Sequence, residues 1–229
     1  GYVEVFDGRG GNDTIDGAGG IDMVRFDSAS TTGVTVNLST NSATDGQGGT
    51  DTITNVENVR GSQYSDSITG DGNANLLEGQ GGDDAMAGGD GNDTLTGGAG
   101  NDTLSGGSGN DLFRFGPGGN DVDTITDFAS GDVIGIGYGL TAGAATAGDG
   151  STVTNGGVQV SSSGGTTTLW IDTNNTAGAE VQINLAGTYA ATAFTVTNHG
   201  NGTSSITLSN DQTITGTGAN ETLSGAEGN

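Results

Sequence analysis

Apolar residues recur at every ninth position between residues 61 and 114, within a background of glycine, asparagine and aspartate. Aligned as six nine-residue units, this stretch carries one large apolar side chain at the eighth position of each unit: Ile68, Leu77, Met86, Leu95, Leu104 and Phe113. Positions 1 to 6 are rich in residues that form tight turns and tolerate a positive φ. Positions 7 to 9 alternate polar and apolar residues, which predicts a minimal strand with its central side chain pointing inward.

A turn followed by a strand is half of a coil, so two units, or eighteen residues, complete one coil with a strand in each of two walls. This spacing predicts that Ile68, Met86 and Leu104 stack in one wall, and that Leu77, Leu95 and Phe113 stack in the other. Each coil then adds a parallel strand to the previous one, which describes a β-solenoid. A flexible glycine-rich linker is the alternative, but it gives no reason for an apolar residue at each eighth position.

The same period continues outside this array. Residues 8–16, 17–25 and 46–54 form three more units, with Ile15, Val24 and Ile53 predicted to point inward. Residues 26–45 interrupt the period and contain one alternating strand at residues 33–38, while residues 55–60 form a short spacer.

Beyond residue 114 the pattern changes to a turn at residues 116–121 and two predicted strands at residues 123–128 and 131–136. Further strands are predicted at residues 158–160, 166–172, 179–185, 193–197 and 203–209. Residues 216–224 restart the nonapeptide, with Glu221 where Asp is expected. We therefore divide the chain into a repeat region (1–136), a β-rich cap (137–209) and the start of a further repeat block (210–229). The chain begins inside an apparent strand at residues 1–6 and ends on the first five positions of another unit, residues 225–229. We therefore interpret it as an internal piece of a larger protein.

Composition and charge exclude several classes of function. The chain has 229 residues, a net charge of −24, only four basic residues and no Cys. A chain this acidic is not expected to bind nucleic acid, or an anionic membrane surface without a bridging cation. Disulfide and thiol chemistry are absent, and no apolar run is long enough for a transmembrane segment.

The repeats have little apolar surface and a large excess of negative charge. Residues 61–114 contain nine large apolar side chains in 54 residues, and nine acidic residues against one Arg. The small apolar core contributes little stability to a compact state, and the negative charges in that state repel one another. We therefore expect a bound cation to stabilise the folded repeats. Ca²⁺ accepts six to eight oxygen ligands in flexible geometry, whereas zinc, copper and iron favour the Cys and His side chains that this chain lacks or has only once.

The candidate calcium ligands are of two chemical kinds. The carboxylates at position 6 are Asp13, Asp22, Asp51, Asp66, Asp84, Asp93, Asp102 and Asp111. The backbone carbonyls at positions 1 and 3 of the later turns belong to Gly79, Gly81, Gly88, Asp90, Gly97, Ala99, Gly106 and Ser108. Because alternate units stack on the same edge, an ion can lie between their turns, and we expect about four to eight ions in all.

Residues 88–114 match the pattern G-G-x-G-x-D-x-U-x, where U is a large apolar residue, and so resemble the RTX nonapeptide of proteins exported by bacterial type I secretion. The resemblance implies an all-β, right-handed parallel β-roll in which Asp84 and Asp102, and likewise Asp93 and Asp111, share calcium ions. It also implies that residues 26–45 bulge from the roll without ending it. Tyr64 at position 4, and Asn73 and Asn75 at positions 4 and 6, depart from the pattern, so ion sites at this end should be weaker or absent.

The segment D-T-I-T-D-F at residues 123–128 resembles the one that closes the β-roll in the C-terminal domain of serralysin-type proteases. The resemblance implies that Asp127, or alternatively Asp123, caps the final calcium ion, and that a β-sandwich-like cap follows. An ordinary strand with a solvated Asp is the other interpretation of this segment.

No catalytic motif accompanies these features. H-E-x-x-H and G-x-S-x-G are absent, and the single His, His199, lies in a predicted surface loop. Trp170, Tyr138 and Tyr189 are assigned to packing rather than to sugar stacking. The outward residues Ser67, Ala85 and Thr103 do not form the regular Thr row of an ice-binding face.

The sequence therefore predicts a secreted, non-enzymatic calcium-binding segment that folds on Ca²⁺ binding after passage through the type I secretion machinery. In one interpretation it is a structural or adhesive part of a large bacterial surface protein, with cell-surface glycans or other surface molecules as partners. In the other it is the export and folding module of a secreted enzyme, such as a protease, lipase or glycan-modifying enzyme, whose catalytic domain lies outside this chain.

Overall fold

The computed structural model describes residues 3–28, 30–116, 121–137, 143–151, 153, 156–173 and 181–209. These residues form an all-β structure, apart from a short 3-10 turn at Ala191–Ala193. The strands are β1 (Val5–Asp7), β2 (Thr14–Asp16), β3 (Met23–Arg25), β4 (Thr35–Asn37), β5 (Ser42–Thr44), β6 (Thr50–Thr54), β7 (Asn58–Arg60), β8 (Ser67–Thr69), β9 (Leu76–Gly81), β10 (Ala85–Asp90), β11 (Thr94–Ala99), β12 (Thr103–Ser108), β13 (Leu112–Phe115), β14 (Val122–Ile125), β15 (Val133–Ile136), β16 (Gly143–Ala144), β17 (Thr146–Ala147), β18 (Val158–Ser163), β19 (Thr166–Ile171), β20 (Val181–Ala186), β21 (Phe194–Asn198) and β22 (Ser204–Leu208). No helix in the part of the chain that the structure describes is long and apolar enough to cross a membrane.

The strands form two sheets, which we call the first and second walls. The first wall has the order β1-β3-β7-β9-β11-β13-β15-β22-β21-β16, and the second has the order β17-β18-β19-β20-β14-β12-β10-β8-β4-β5-β6-β2. From β1 to β15 every neighbouring pair in the first wall is parallel. Successive strands of the repeat alternate between the walls, as expected when each nine-residue unit supplies half of a coil.

The two predicted apolar stacks are confirmed. In the second wall Met86 is in register with both Ile68 and Leu104, and in the first wall Leu95 is in register with both Leu77 and Phe113. All six side chains are buried in one core cluster that also contains Ile15, Val24 and Ile53. The central residue of each strand points inward because side chains alternate between the two faces of a strand.

The strands of the central array are longer than the sequence predicts. The four strands β9 to β12 have six residues each, because the parallel ladder continues from positions 7–9 into positions 1–3 of the next unit. Only positions 4 to 6 are left for the turn. Gly91 and Gly100, at position 4, have φ values of 120° and 124°, a region that only glycine adopts without strain.

The excursion at residues 26–45 does not end the roll, as expected, but it lies within the second wall rather than bulging from it. Strand β4 pairs in parallel with β8, and β5 pairs antiparallel with both β4 and β6. Val36 takes the inward position beside Ile68, and Ala43 is inward in β5. The excursion therefore adds one antiparallel strand among the parallel repeat strands of the second wall.

The cap strands extend the same two walls. In the second wall β20 pairs in parallel with β14, and in the first wall β22 pairs antiparallel with β15. The predicted strands at residues 158–160, 166–172, 179–185, 193–197 and 203–209 correspond to β18 to β22, with end positions shifted by a few residues. Tyr189 links the cap to the roll, because its hydroxyl donates a hydrogen bond to the carbonyl of Phe128 at 2.8 Å. The proposed repeat block at 210–229, like Tyr138, lies outside the described residues.

Candidate metal sites along the turns

The position-6 residues form a hydrogen-bonded ladder along each edge of the roll. The backbone N–H of Asp66 donates to Oδ1 of Asp84 at 2.7 Å, and that of Asp84 donates to Oδ1 of Asp102 at 2.9 Å. On the other edge the N–H of Asp93 donates to Oδ1 of Asp111 at 2.9 Å. In each of these carboxylates, Oδ1 therefore accepts a hydrogen bond from the coil eighteen residues earlier.

We call these ladders the two aspartate rows. The first row contains Asp66, Asp84, Asp102 and Asp123, and the second contains Asn75, Asp93, Asp111 and Asp132. The last step in each row spans 21 residues instead of 18.

A second ladder, at position 5, runs in the opposite direction. The N–H of Asn101 donates to Oδ1 of Asp83 at 2.8 Å, and the N–H of Asn110 donates to Oδ1 of Asn92 at 2.9 Å. A short side chain with an acceptor oxygen at position 5, as in Asp83 and Asn92, therefore joins one coil to the next. The sequence pattern indicates only turn formation at position 5 and does not reveal this ladder.

Among the aspartates at position 6, six have a second carboxylate oxygen that is buried and has no hydrogen-bond partner. These atoms are Oδ2 of Asp22, Asp51, Asp84, Asp93, Asp102 and Asp111. The six side chains are between 0% and 2% exposed. The ion pairs among the described residues join Arg9 to Asp7, Arg25 to Asp27 and Arg60 to Glu78, so none reaches these six carboxylates. An unpaired buried charge is costly, which makes these oxygens the strongest indication of a cation-binding site.

The orphaned oxygens face backbone carbonyls across the glycine at position 1. A Cβ placed on Gly88 would overlap Oδ2 of Asp93 and lie 2.6 Å from the carbonyl oxygen of Gly106. A Cβ on Gly79 would overlap Oδ2 of Asp84 and lie 2.6 Å from the carbonyl oxygen of Gly97. The absence of a side chain at position 1 thus leaves a small space lined by a carboxylate of one coil and a carbonyl of the next.

Two of the predicted carbonyls at position 3 accept backbone hydrogen bonds between neighbouring turns. The position-3 carbonyls of Ala99 and Ser108 accept hydrogen bonds from the N–H groups of Gly82 and Gly91 at 2.9 and 2.8 Å. Gly81 and Asp90 are their partners in the parallel ladders. These residues join one turn to the next, and each carbonyl still has a second lone pair.

Burial raises the pKa of every aspartate in the two rows. Desolvation raises the pKa of Asp84 to about 8, although the N–H of Asp66 lowers it in part. Desolvation also raises the pKa of Asp93 and Asp102 to about 6, and that of Asp123 to about 7. A proton and a metal ion therefore compete for the same oxygens near neutral pH.

The donor set fits calcium. Within the described ranges, no three side chains of His, Cys, Asp or Glu come together as a metal site, so an ion here must take backbone carbonyls as well as carboxylates. Carboxylate and carbonyl oxygens in a flexible arrangement are what Ca²⁺ accepts. Bound calcium would supply the positive charge that the buried carboxylates of stacked coils lack.

Three predicted ligands have surroundings that differ from those of the six orphaned carboxylates. Asp13 is exposed, and its N–H donates to Oδ1 of Asp51 at 2.9 Å. Asp66 and Asp127 have both oxygens occupied by protein donors. For Asp127 these donors are the N–H groups of Gly106 and Gly107, at 3.0 and 2.8 Å, and the hydroxyl of Ser105. Asp127 thus closes the last turn of the array by hydrogen bonds.

The structure adds one row member that the sequence analysis missed. Asp132 accepts from the N–H of Asp111 at 3.0 Å and ends the second row, its other oxygen accepting from the N–H of Ala129 at 2.8 Å. The signal was present in the sequence, because Asp132 follows Asp111 by the same 21 residues that separate Asp123 from Asp102. The three extra residues in this step break the nine-residue spacing, so the repeat pattern does not identify Asp132.

The side chains considered for catalysis or sugar binding are involved in packing and local hydrogen bonds. The ring of His199 lies 3.1 Å from the hydroxyl of Ser205, and His199 is exposed. The indole N–H of Trp170 donates to the hydroxyl of Ser161 at 3.0 Å, and one face of the ring lies against Gly150.

Comparison with known families gives a match over the repeats. The model of the RTX calcium-binding nonapeptide repeat matches four copies, at residues 5–24, 56–86, 78–113 and 87–125. No curated protein is similar enough to the chain to count as a match.

Among solved structures, the AlgE6R3 subunit of the mannuronan C5-epimerase from Azotobacter vinelandii is 34% identical, with 54% of this chain and 71% of that chain covered and a TM-score of 0.40. The AlgE6R2 subunit of the same enzyme is 28% identical, with coverages of 57% and 84% and a TM-score of 0.39. The extracellular lipase LipA from Serratia marcescens is 17% identical, with 83% of this chain and 36% of that chain covered and a TM-score of 0.35.

Proposed function

Because this chain belongs to the family of RTX calcium-binding nonapeptide repeats, we propose that it is a calcium-dependent structural module of a larger extracellular bacterial protein. In this proposal the chain passes the type I secretion machinery unfolded and folds outside the cell when calcium is bound. The observation that carries the proposal is the set of six buried Asp oxygens without a hydrogen-bond partner.

The energetic reason lies in the arrangement of the two rows. Without a cation, the folded roll holds several negative charges in a nearly water-free environment, and the unfolded chain, with its net charge of −24, avoids that cost. Extracellular calcium sites bind at ~10⁻⁴–10⁻³ M, so they fill outside a cell and stay empty in the cytosol. At tenfold excess over Kd each ion adds about 1.4 kcal/mol to stability. Filling should be cooperative where one ion joins two stacked coils.

A calcium titration of the chelated protein, followed by circular dichroism, tests this function. We expect a cooperative coil-to-β transition at ~10⁻⁴–10⁻³ M Ca²⁺. Mg²⁺ is the matched control, because it demands octahedral geometry and gives up its water reluctantly. A β spectrum that excess chelator leaves unchanged would refute calcium-dependent folding and make the repeats a static scaffold.

Within this function, we favour a structural or adhesive part of a large surface protein. The cap continues both walls, which suits a segment that holds neighbouring parts of a long protein in line. Surface glycans are the partners we propose for such a role.

The second candidate is a non-catalytic module that accompanies a secreted enzyme. It is favoured by the 34% identity to a subunit of a mannuronan C5-epimerase. Sequencing of the complete gene distinguishes the two. A catalytic domain beside the roll supports the enzyme module, and further rolls with repeated domains support the surface protein.

A further inference from the structure

The first aspartate row is interrupted at Asp66. Its Oδ2 accepts from the N–H of Ser62 at 2.6 Å, and its Oδ1 accepts from the hydroxyl of Ser62 and the N–H of Val34, both at 2.8 Å. Asp66 is 4% exposed and therefore as buried as the orphaned aspartates. The difference is that three protein donors occupy both of its oxygens, which leaves neither oxygen orphaned. These donors lower the pKa of Asp66 in part, although its burial raises that pKa overall.

The second row is interrupted by the neutral side chain of Asn75. Its Oδ1 accepts from the N–H of Asp71 at 2.9 Å, and its Nδ2 donates to the carbonyl of Glu57 at 2.8 Å and to Oδ1 of Asp71 at 3.2 Å. A Cβ on Gly70 would overlap both Oδ1 of Asn75 and the carbonyl oxygen of Gly88. The space at position 1 is thus the same as in the later units, with an amide where those units have a carboxylate.

The two interruptions lie in the same coil. Asp66 precedes β8 in the second wall and Asn75 precedes β9 in the first wall, and residues 61–78 connect them. Orphaned carboxylates occur on both sides of this coil. On one side are Asp22 and Asp51, which we call the N-terminal block. On the other side are Asp84, Asp93, Asp102 and Asp111, which we call the C-terminal block.

We propose that the coil at residues 61–78 binds no calcium through Asp66 or Asn75, and that it divides calcium binding into two blocks that fill independently. This inference rests on the proposed calcium-dependent function. Cooperative filling needs ions that share ligands from coil to coil. At Asp66 and Asn75 protein hydrogen bonds take the place of such shared ligands, so this coil does not pass the coupling on. Ser62 and Asn75 are the residues that replace the metal.

The experiment uses the complete chain and combines calorimetric calcium titration with hydrogen exchange at each calcium concentration. In the unsubstituted protein, amides at residues 14–25 and at residues 84–113 should become protected with separate calcium midpoints. Asp102→Asn keeps the Oδ1 acceptor of the ladder and removes one charged ligand. It should raise the midpoint of the C-terminal block by about tenfold or more and leave that of the N-terminal block unchanged. Asp22→Asn is the reciprocal variant and should show the opposite pattern.

Asn75→Asp tests the gain of a site. The new carboxylate would lose the two hydrogen bonds that Nδ2 donates and would lie beside Asp71. It should therefore bind one additional calcium ion per chain and bring the two midpoints closer together. An unchanged stoichiometry in this variant, or an equal shift of both blocks in Asp102→Asn, overturns the inference. Absence of any calcium binding by the unsubstituted chain refutes the proposed function instead, so the two failures are distinguishable.

Discussion

Replacing Asp84 by Asn should change the stability of the roll in opposite directions with and without calcium. Burial raises the pKa of Asp84 from 3.8 to about 8. A group with a raised folded-state pKa contributes its full stability below pH 3.8, and that stability is lost as the pH rises toward 8. At pH 7 the loss amounts to roughly three pKa units, or about 4 kcal/mol.

The Asn side chain removes this cost. Its Oδ1 can still accept from the N–H of Asp66, and it carries no charge to be desolvated. In calcium-free buffer at pH 7 the variant should therefore gain up to about 4 kcal/mol of stability. In calcium the sign reverses, because the variant lacks one carboxylate ligand and needs about tenfold more Ca²⁺ for half-folding.

Circular dichroism measures both effects. In chelator, folding is driven by trimethylamine N-oxide, which favours compact states, and the variant should fold at a lower concentration than the unsubstituted chain. Asp83→Asn is the matched control. It removes the same charge at the adjacent exposed residue, and an Asn there can still accept from the N–H of Asn101. If Asp84→Asn destabilises the chelated protein as much as the calcium-loaded one, buried charge is not what opposes folding, and the reasoning is wrong.

Three other predictions follow from the geometry. Gly88→Ala should lower calcium affinity in titration, because its Cβ would displace the carboxylate of Asp93, whereas Gly72→Ala, with no atom within 4 Å, should not. Lowering the pH from 8 to 5 should raise the calcium concentration at half-folding but stabilise the chelated roll. The reason is that Asp93 and Asp102 have pKa values raised to about 6 and take up protons in the folded state. Calcium titrations and stability measurements in chelator, each at both pH values, check these two opposite effects. Tyr189→Phe should cost about 1 kcal/mol in urea denaturation with calcium present, because the hydrogen bond to Phe128 is lost. A Tyr189→Phe variant as stable as the unsubstituted chain would show that the cap does not depend on this bond.

The sequence alone was sufficient for the repeat and for most of the candidate ligands. The nine-residue spacing of Ile68, Leu77 and Met86 determines which side chains share a wall, because strand side chains alternate and each unit turns the chain by half a coil. The same spacing identifies position 6, where the structure places the orphaned carboxylates of the central array. These features are local, since each depends on residues within one or two units.

The hydrogen-bond partners of each carboxylate were decided by the tertiary structure. Asp66 and Asp84 occupy the same position in their units, yet only Asp66 has the N–H and hydroxyl of Ser62 and the N–H of Val34 as donors. Val34 is 32 residues away, in a segment where the period is interrupted. A nonapeptide pattern contains no information about such a partner.

The sequence by itself determined the coil, the two apolar stacks and the oxygen-rich turns, because a short period repeats the same local chemistry in each unit. Only the tertiary structure decided that the excursion enters the second wall through β4 and β5, and that the cap extends both walls through β20 and β22. It also decided which aspartates are left with an orphaned oxygen. The physical reason is that strand pairing and burial join residues far apart in the chain, and the cost of an unpaired buried charge depends on every donor that surrounds it.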